Sequence, residues 1–162
     1  MQSIRNFVQL TELIGTAGQP APEQLELIKQ AGYASVINLA LPDHADAIPT
    51  EGALVAGLGL NYIHLPVPFH RPLPGHVLRF CKLLQALEGT PVFVHCIMNY
   101  RVSAFMFHYL HTLSGWSVEA ARSPIFERWT PDPVWSDLLA WSAAQIGLEL
   151  NDNVESSHHS GH

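Results

Sequence analysis

Apolar and polar positions along the chain alternate between short β-type runs and helical spacings, a pattern that predicts an α/β sandwich. An early run, Leu13 to Thr16, ends in Gly18-Gln19-Pro20. Leu25, Ile28 and Ala31 then recur at helical spacing, predicting a helix over Pro22–Ala31 with Gly32 just beyond its end. Ser35–Leu41 has the continuous apolar character of a buried strand. A polar loop from Pro42 to Pro49 leads to a short helix, Glu51–Leu58, for which Thr50 is the expected cap. Tyr62–Val67 reads as a further strand, interrupted by Pro66 and Pro68. Val77, Phe80, Cys81, Leu84 and Leu87 share one face of a helix over His76–Leu87. Pro91–His95 is a β-rich run that stops at Cys96, and an apolar helix is expected from Arg101 to Leu113. Two more helices, Val118–Trp129 and Val134–Ile146, are separated by Pro131 and Pro133.

A chain of 162 residues is expected to form one domain, here over residues 1–150, with 151–162 as a loose tail. The His-rich end of that tail, Ser156–His162, is of the sort left by cloning and is set aside. With 48% apolar and only 14% charged residues, a packed core is expected rather than disorder. A net charge of −6 with eight Lys and Arg argues against nucleic-acid or anionic-membrane partners. Any anionic ligand must then be held by a local concentration of donors. No apolar run reaches the length of a membrane span, and residues 1–9 do not read as a secretory signal. Two cysteines, Cys81 and Cys96, make no disulfide framework, so a reducing cytoplasm is the expected compartment.

The order strand, Cys96, tight loop, Arg101, helix carries the chemistry. Covalent phosphoryl transfer needs an ionised nucleophile, a cradle for phosphate oxygens, and positive charge that gains in value in the transition state. A cysteine at a strand end, before a helix N-terminus, meets loop N–H groups that form an anion nest. Such a field brings cysteine thiols from about 8.5 into the range of about 3.5–7.5. Arg101 offers a planar fork for two oxygens. Asn99 suits the residue of positive φ that a curled loop needs.

The segment Val94-His95-Cys96-Ile97-Met98-Asn99-Tyr100-Arg101-Val102-Ser103 resembles the signature loop of the Cys-dependent protein-tyrosine and dual-specificity phosphatases. More narrowly it is similar to a bacterial group of protein-tyrosine-phosphatase-like proteins. Gly18-Gln19-Pro20, Gly32-Tyr33 through Ile37-Asn38-Leu39, and Arg101 through Phe105 share that likeness. The resemblance implies a three-layer sandwich whose central sheet, mostly parallel and of four to five strands, carries helices on both faces. It implies attack by Cys96 to give a phosphocysteine, substrate phosphate held by His95, Ile97, Met98, Asn99, Tyr100 and Arg101, Ser103 stabilising the thiolate, and no metal or other cofactor. The implied substrate is a phosphate monoester, an aryl one such as protein phosphotyrosine or a small aryl phosphate.

Two departures qualify the likeness. Four residues separate Cys96 from Arg101, one fewer than in the usual phosphatase loop, and Asn99 stands at the glycine position. That shorter ring also resembles the rhodanese sulfurtransferases, and a third reading is a pocket that binds oxyanions with little turnover. The loop after the Tyr62–Val67 strand, Pro68-Phe69-His70-Arg71-Pro72, lacks the family's acidic proton donor. Loop position favours His70 as general acid over Asp43, Asp46 and Asp132, against the plainer reading of His70 as an exposed histidine with no catalytic role.

Other residues admit two readings each. Cys81 is either core or a resolving thiol for Cys96. His108 and His111 are either helix histidines or a metal-binding pair. Trp129 and Trp135 either pack or, with Arg128, wall the pocket. Tyr100 is expected to narrow the pocket entrance. Glu51 is either an ordinary first-turn acid or the partner of a loop arginine.

Overall fold

The computed structural model describes residues 1–148; the tail expected over 151–162 lies outside the described residues. Five strands form one sheet in the order β1-β2-β5-β3-β4, with β1 Val8–Gln9, β2 Ile14–Ala17, β3 Ser35–Asn38, β4 Asn61–His64 and β5 Val92–His95. All pairings are parallel except β1 with β2. The antiparallel edge strand β1 is too short to leave a periodic trace in the sequence.

Side-chain alternation along the strands explains the apolar runs. Val92 and Val94 face one layer, built with Phe80 and Phe105, while Phe93 faces the other, built with Leu25, Ile28 and Val55. The first layer holds helices α3 (Pro74–Ala86), α4 (Tyr100–His108) and α6 (Pro133–Ala140). The second holds α1 (Leu25–Gln30) and α2 (Glu51–Gly57). Sheet and two helical layers make the expected three-layer sandwich. From Arg101 to His108 every residue of α4 is buried, because this helix runs between β5 and the outer helices.

Several element bounds differ from expectation. The helix expected over Val118–Trp129 divides into α5 (Val118–Ala121) and a 3₁₀ turn at Pro124–Glu127, since Ser123 accepts from the Ile125 N–H and Pro124 starts anew. Val134–Ile146 likewise splits into α6 and α7 (Ala143–Ile146), because Ser142 caps a fresh helix by accepting from Gln145 N–H. Thr50 makes no side-chain cap. The helix expected to reach Leu113 leaves α geometry after His108 and ends in a π-helical turn, Tyr109–Leu113.

β5 sits between β2 and β3, and the chain leaves β3 toward one helical layer and β5 toward the other. A crevice opens at the carboxyl ends of strands where connections diverge in this way. The loops after β3, β4 and β5 meet there.

Candidate active site

Cys96 follows β5 directly, and its N–H still continues the sheet by donating to the Ala17 carbonyl. The chain then curls through Asn99, which adopts φ 70°, before α4 begins at Tyr100. Three successive carbonyls of this loop are held from outside it. The Cys96 oxygen lies 3.0 Å from His95 Nδ1. The Ile97 oxygen accepts from the Gln19 N–H at 2.9 Å. The Met98 oxygen accepts from Asn6 Nδ2 at 2.9 Å. In a trans peptide the N–H points opposite to the C=O. The N–H groups of Ile97, Met98 and Asn99 therefore turn inward, and none of them finds an acceptor among the described residues. Unpaired donors of this kind form an anion nest, to which the N-terminus of α4 adds its partial positive charge.

A cleft of about 390 Å³ lies over this loop, lined by Cys96, Ile97, Met98, Tyr100 and Arg101 together with residues of the β3 and β4 loops. Cys96 is only 1% exposed, yet it forms part of the cleft wall. Arg101 is 5% exposed; its Nη1 donates to the Val67 carbonyl at 2.9 Å and its guanidinium carbon lies 5.7 Å from the Phe69 ring centroid. These contacts fix the guanidinium beside the loop. Its other donors form no hydrogen bond among the described residues.

The loop is buttressed by close backbone approach. A Cβ at Gly18 would collide with the Ile97 carbonyl, so only glycine lets the Gly18-Gln19 segment reach it. Asn99 donates from Nδ2 to the Asn6 carbonyl at 2.9 Å and to Thr16 Oγ1 at 3.1 Å, locking the left-handed residue in place.

Neither family models nor curated proteins match the sequence. Solved structures do. A DUF442 protein of Shewanella putrefaciens CN-32, described as a candidate phosphatase, is 33% identical over 90% of this chain and 95% of its own, with a TM-score of 0.80. The chain belongs to the bacterial protein-tyrosine-phosphatase-like family. Two more distant structures share the fold. TpbA of P. aeruginosa, solved with phosphotyrosine, has 22% identity over 72% of this chain and 68% of its own, TM-score 0.59. Tk-PTP has 17% identity over 83% and 93%, TM-score 0.69.

In this phosphatase-like chain the cleft rim is built from Leu41, Asp43 and His44 after β3 and from Phe69 and His70 after β4. Of the acids weighed from sequence, His70 and Asp43 are thus at the cleft, and His44 joins them. Asp46 is not: it pairs with Arg5 at 3.6 Å on the surface. Asp132 caps α6, accepting from the Trp135 N–H at 3.1 Å. Ser103 is buried on α4. Its hydroxyl donates to Asn99 Oδ1 at 3.2 Å and so supports the loop turn. Asn99 stands four residues, one helical turn, before Ser103.

The aromatic residues are ordered behind the wall. Tyr100, at the cleft, stacks on Trp129 with centroids 4.8 Å apart and planes within 4°. Trp135 is buried, donates from Nε1 to the Phe69 carbonyl at 2.8 Å, and so braces the cleft's other aromatic. Arg128 does not line the cleft; its Nη1 donates to Asn6 Oδ1 at 3.0 Å. Cys81 is fully buried in the α3 core, where desolvation pushes its thiol up to about 12; at neutral pH it lacks the thiolate a resolving cysteine needs. His108 and His111 each meet a backbone carbonyl, of Leu138 and Trp116, and no cluster of metal-binding side chains occurs among the described residues.

Glu51 was the least legible residue from sequence. It is 1% exposed and pairs with no arginine among the described residues: Oε2 lies 2.6 Å from His95 Nε2, and Oε1 accepts from Gln19 Nε2 at 2.6 Å. Burial alone would push its carboxyl up, but the hydrogen bonds from His95 and Gln19 and the charge of His95 outweigh it and hold it below the usual range. A depressed carboxyl stabilises the fold above about pH 4.3, and that contribution is lost as the pH falls through the lower folded value. Removing either partner of such a buried pair costs about 3–5 kcal/mol. Its sequence signal was only a Glu at a helix start; Asn6 and Gln19 gave none for their loop contacts.

Proposed function

We propose that the chain is a Cys-dependent phosphatase acting on aryl phosphate monoesters, such as phosphotyrosine in proteins or a small aryl phosphate. The observation that carries this reading is one cleft lined by both Cys96 and Arg101, over a loop whose Ile97, Met98 and Asn99 N–H groups find no acceptor among the described residues. Apolar walls from Leu41, Phe69, Met98 and Tyr100 suit a flat aromatic leaving group above the phosphate.

In this scheme the Cys96 sulfur donates an electron pair to phosphorus as the bond from phosphorus to the aryl oxygen breaks. The leaving oxygen takes a proton from the rim. Water then attacks phosphorus, the sulfur–phosphorus bond breaks, and the rim group accepts the water's proton, returning the thiolate and inorganic phosphate. Arg101 and the N–H groups of Ile97 to Arg101 hold the equatorial oxygens throughout.

Rapid acid quench during turnover of an aryl phosphate should trap a phosphoryl group on Cys96, seen by mass spectrometry. A persulfide formed on Cys96 from thiosulfate, with no phosphoenzyme, would instead assign a sulfurtransferase. Retention of phosphate without any covalent adduct would assign a binding protein.

The proton donor is separable by variants. His70→Ala is expected to lower kcat for a poor leaving group by about 10²-fold and to leave an activated nitrophenyl ester nearly unchanged. Asp43→Asn, measured in parallel on the same two substrates, shows that leaving-group dependence only if Asp43 is the donor.

A further inference from the structure

His95 has two ring nitrogens and both face acceptors. Nδ1 lies 3.0 Å from the Cys96 carbonyl oxygen, which can only accept, so Nδ1 carries a hydrogen. Nε2 lies 2.6 Å from Glu51 Oε2, and a second hydrogen must lie between them. The ring is fully buried, so no solvent donor or acceptor alters this count. Glu51 also accepts from Gln19 Nε2 at Oε1, and a carboxyl facing two donors is favoured in its charged form, which leaves that second hydrogen on the imidazole.

We propose that Glu51 is a positioning residue for the anion loop: its buried carboxylate keeps His95 doubly protonated, so that a charge-assisted bond turns the Cys96 carbonyl away from the cleft and the Ile97 N–H toward it. Gln19 completes the device, since its side chain donates to Glu51 while its backbone N–H holds the next carbonyl, that of Ile97. One acid on α2 thus orients two successive peptides of a loop 44 residues away in the chain. The cation also lies one residue from the nucleophile.

The other groups facing the pair do not supply the proton. Tyr62 from β4 is pushed up to about 12, first by burial and further by the Glu51 charge, although the Asn38 hydrogen bond opposes this, and it stays neutral. His64, also on β4, places its Nε2 2.7 Å from the Ala40 carbonyl. Phe93 presents its ring to His95 at 6.4 Å.

Glu51→Gln separates charge from packing. A neutral amide of the same shape can donate to a bare Nε2 and accept from Gln19, so the hydrogen bonds survive while the imidazolium does not. Heteronuclear NMR of wild-type protein from about pH 6 to about pH 8 is expected to show a hydrogen on both His95 nitrogens, and Glu51→Gln to show one at the upper end. The same variant should lower kcat/KM for an aryl phosphate on the order of tenfold. It should also move the pH midpoint of Cys96 alkylation by iodoacetamide upward.

A bare His95 nitrogen in the wild-type protein throughout that range overturns the inference, whether or not the variant folds. So does a Glu51→Gln protein whose alkylation midpoint is unchanged, even if its melting temperature drops. The kinetic arm rests on the phosphatase reading; the NMR and alkylation arms do not, so absence of phosphatase activity would leave them decisive.

Discussion

Cys96→Ser is expected to reduce hydrolysis of an aryl phosphate by at least about 10⁴-fold while leaving the affinity for inorganic phosphate within about threefold. The two halves have different physical origins. In the proposed scheme turnover depends on a sulfur nucleophile, and a serine hydroxyl is a far weaker nucleophile at neutral pH. In the same scheme binding rests on the inward N–H groups of Ile97, Met98 and Asn99 and on Arg101, none of which the substitution removes. Steady-state kinetics with isothermal titration of phosphate would measure both. Near-complete retention of hydrolysis by the serine protein would remove the covalent scheme.

Arg101→Lys is the second large effect, expected at about 10³-fold in kcat/KM. The guanidinium is placed by two contacts that an ammonium cannot reproduce together, a hydrogen bond to the Val67 carbonyl and a position near the Phe69 ring. Lysine keeps the charge but loses the planar fork that grips two equatorial oxygens at once. The loss should fall mainly on kcat, since the extra charge on those oxygens develops in the transition state. Phosphate affinity kept near the wild-type value, with vanadate affinity weakened in a protein that still melts cooperatively, would check that division. Because Arg101 also ties the β4 loop to α4, a fall in thermal midpoint is expected alongside, and the melting curve separates the two.

Much of the core was legible because it is written in contiguous residues. A buried parallel strand needs apolar side chains on both faces, and Val92, Phe93 and Val94 supply them one after another. A strand that stops at Cys96, a residue of positive φ at Asn99 and an apolar helix after Arg101 are likewise local facts. Helix breaks were less legible. Ser123 and Ser142 interrupt apolar periodicity only through side-chain caps, and periodicity averages over single residues.

The sequence by itself determined the α/β layering, the Cys96–Arg101 loop and the place of that loop between a strand and a helix. Each of these follows from residues adjacent in the chain, whose backbone preferences act without help from afar. Tertiary structure alone decided how the loop is held. Asn6 lies 92 positions from the Met98 carbonyl it grips, and Glu51 meets His95 only because α2 packs beneath the end of β5. It also decided which acids reach the cleft: Asp43 and His70 line it, whereas Asp46 turns to Arg5 and Asp132 to its own helix. A hydrogen bond constrains geometry over a few ångströms of space and leaves no spacing rule in sequence, so such partners appear only once the chain has folded.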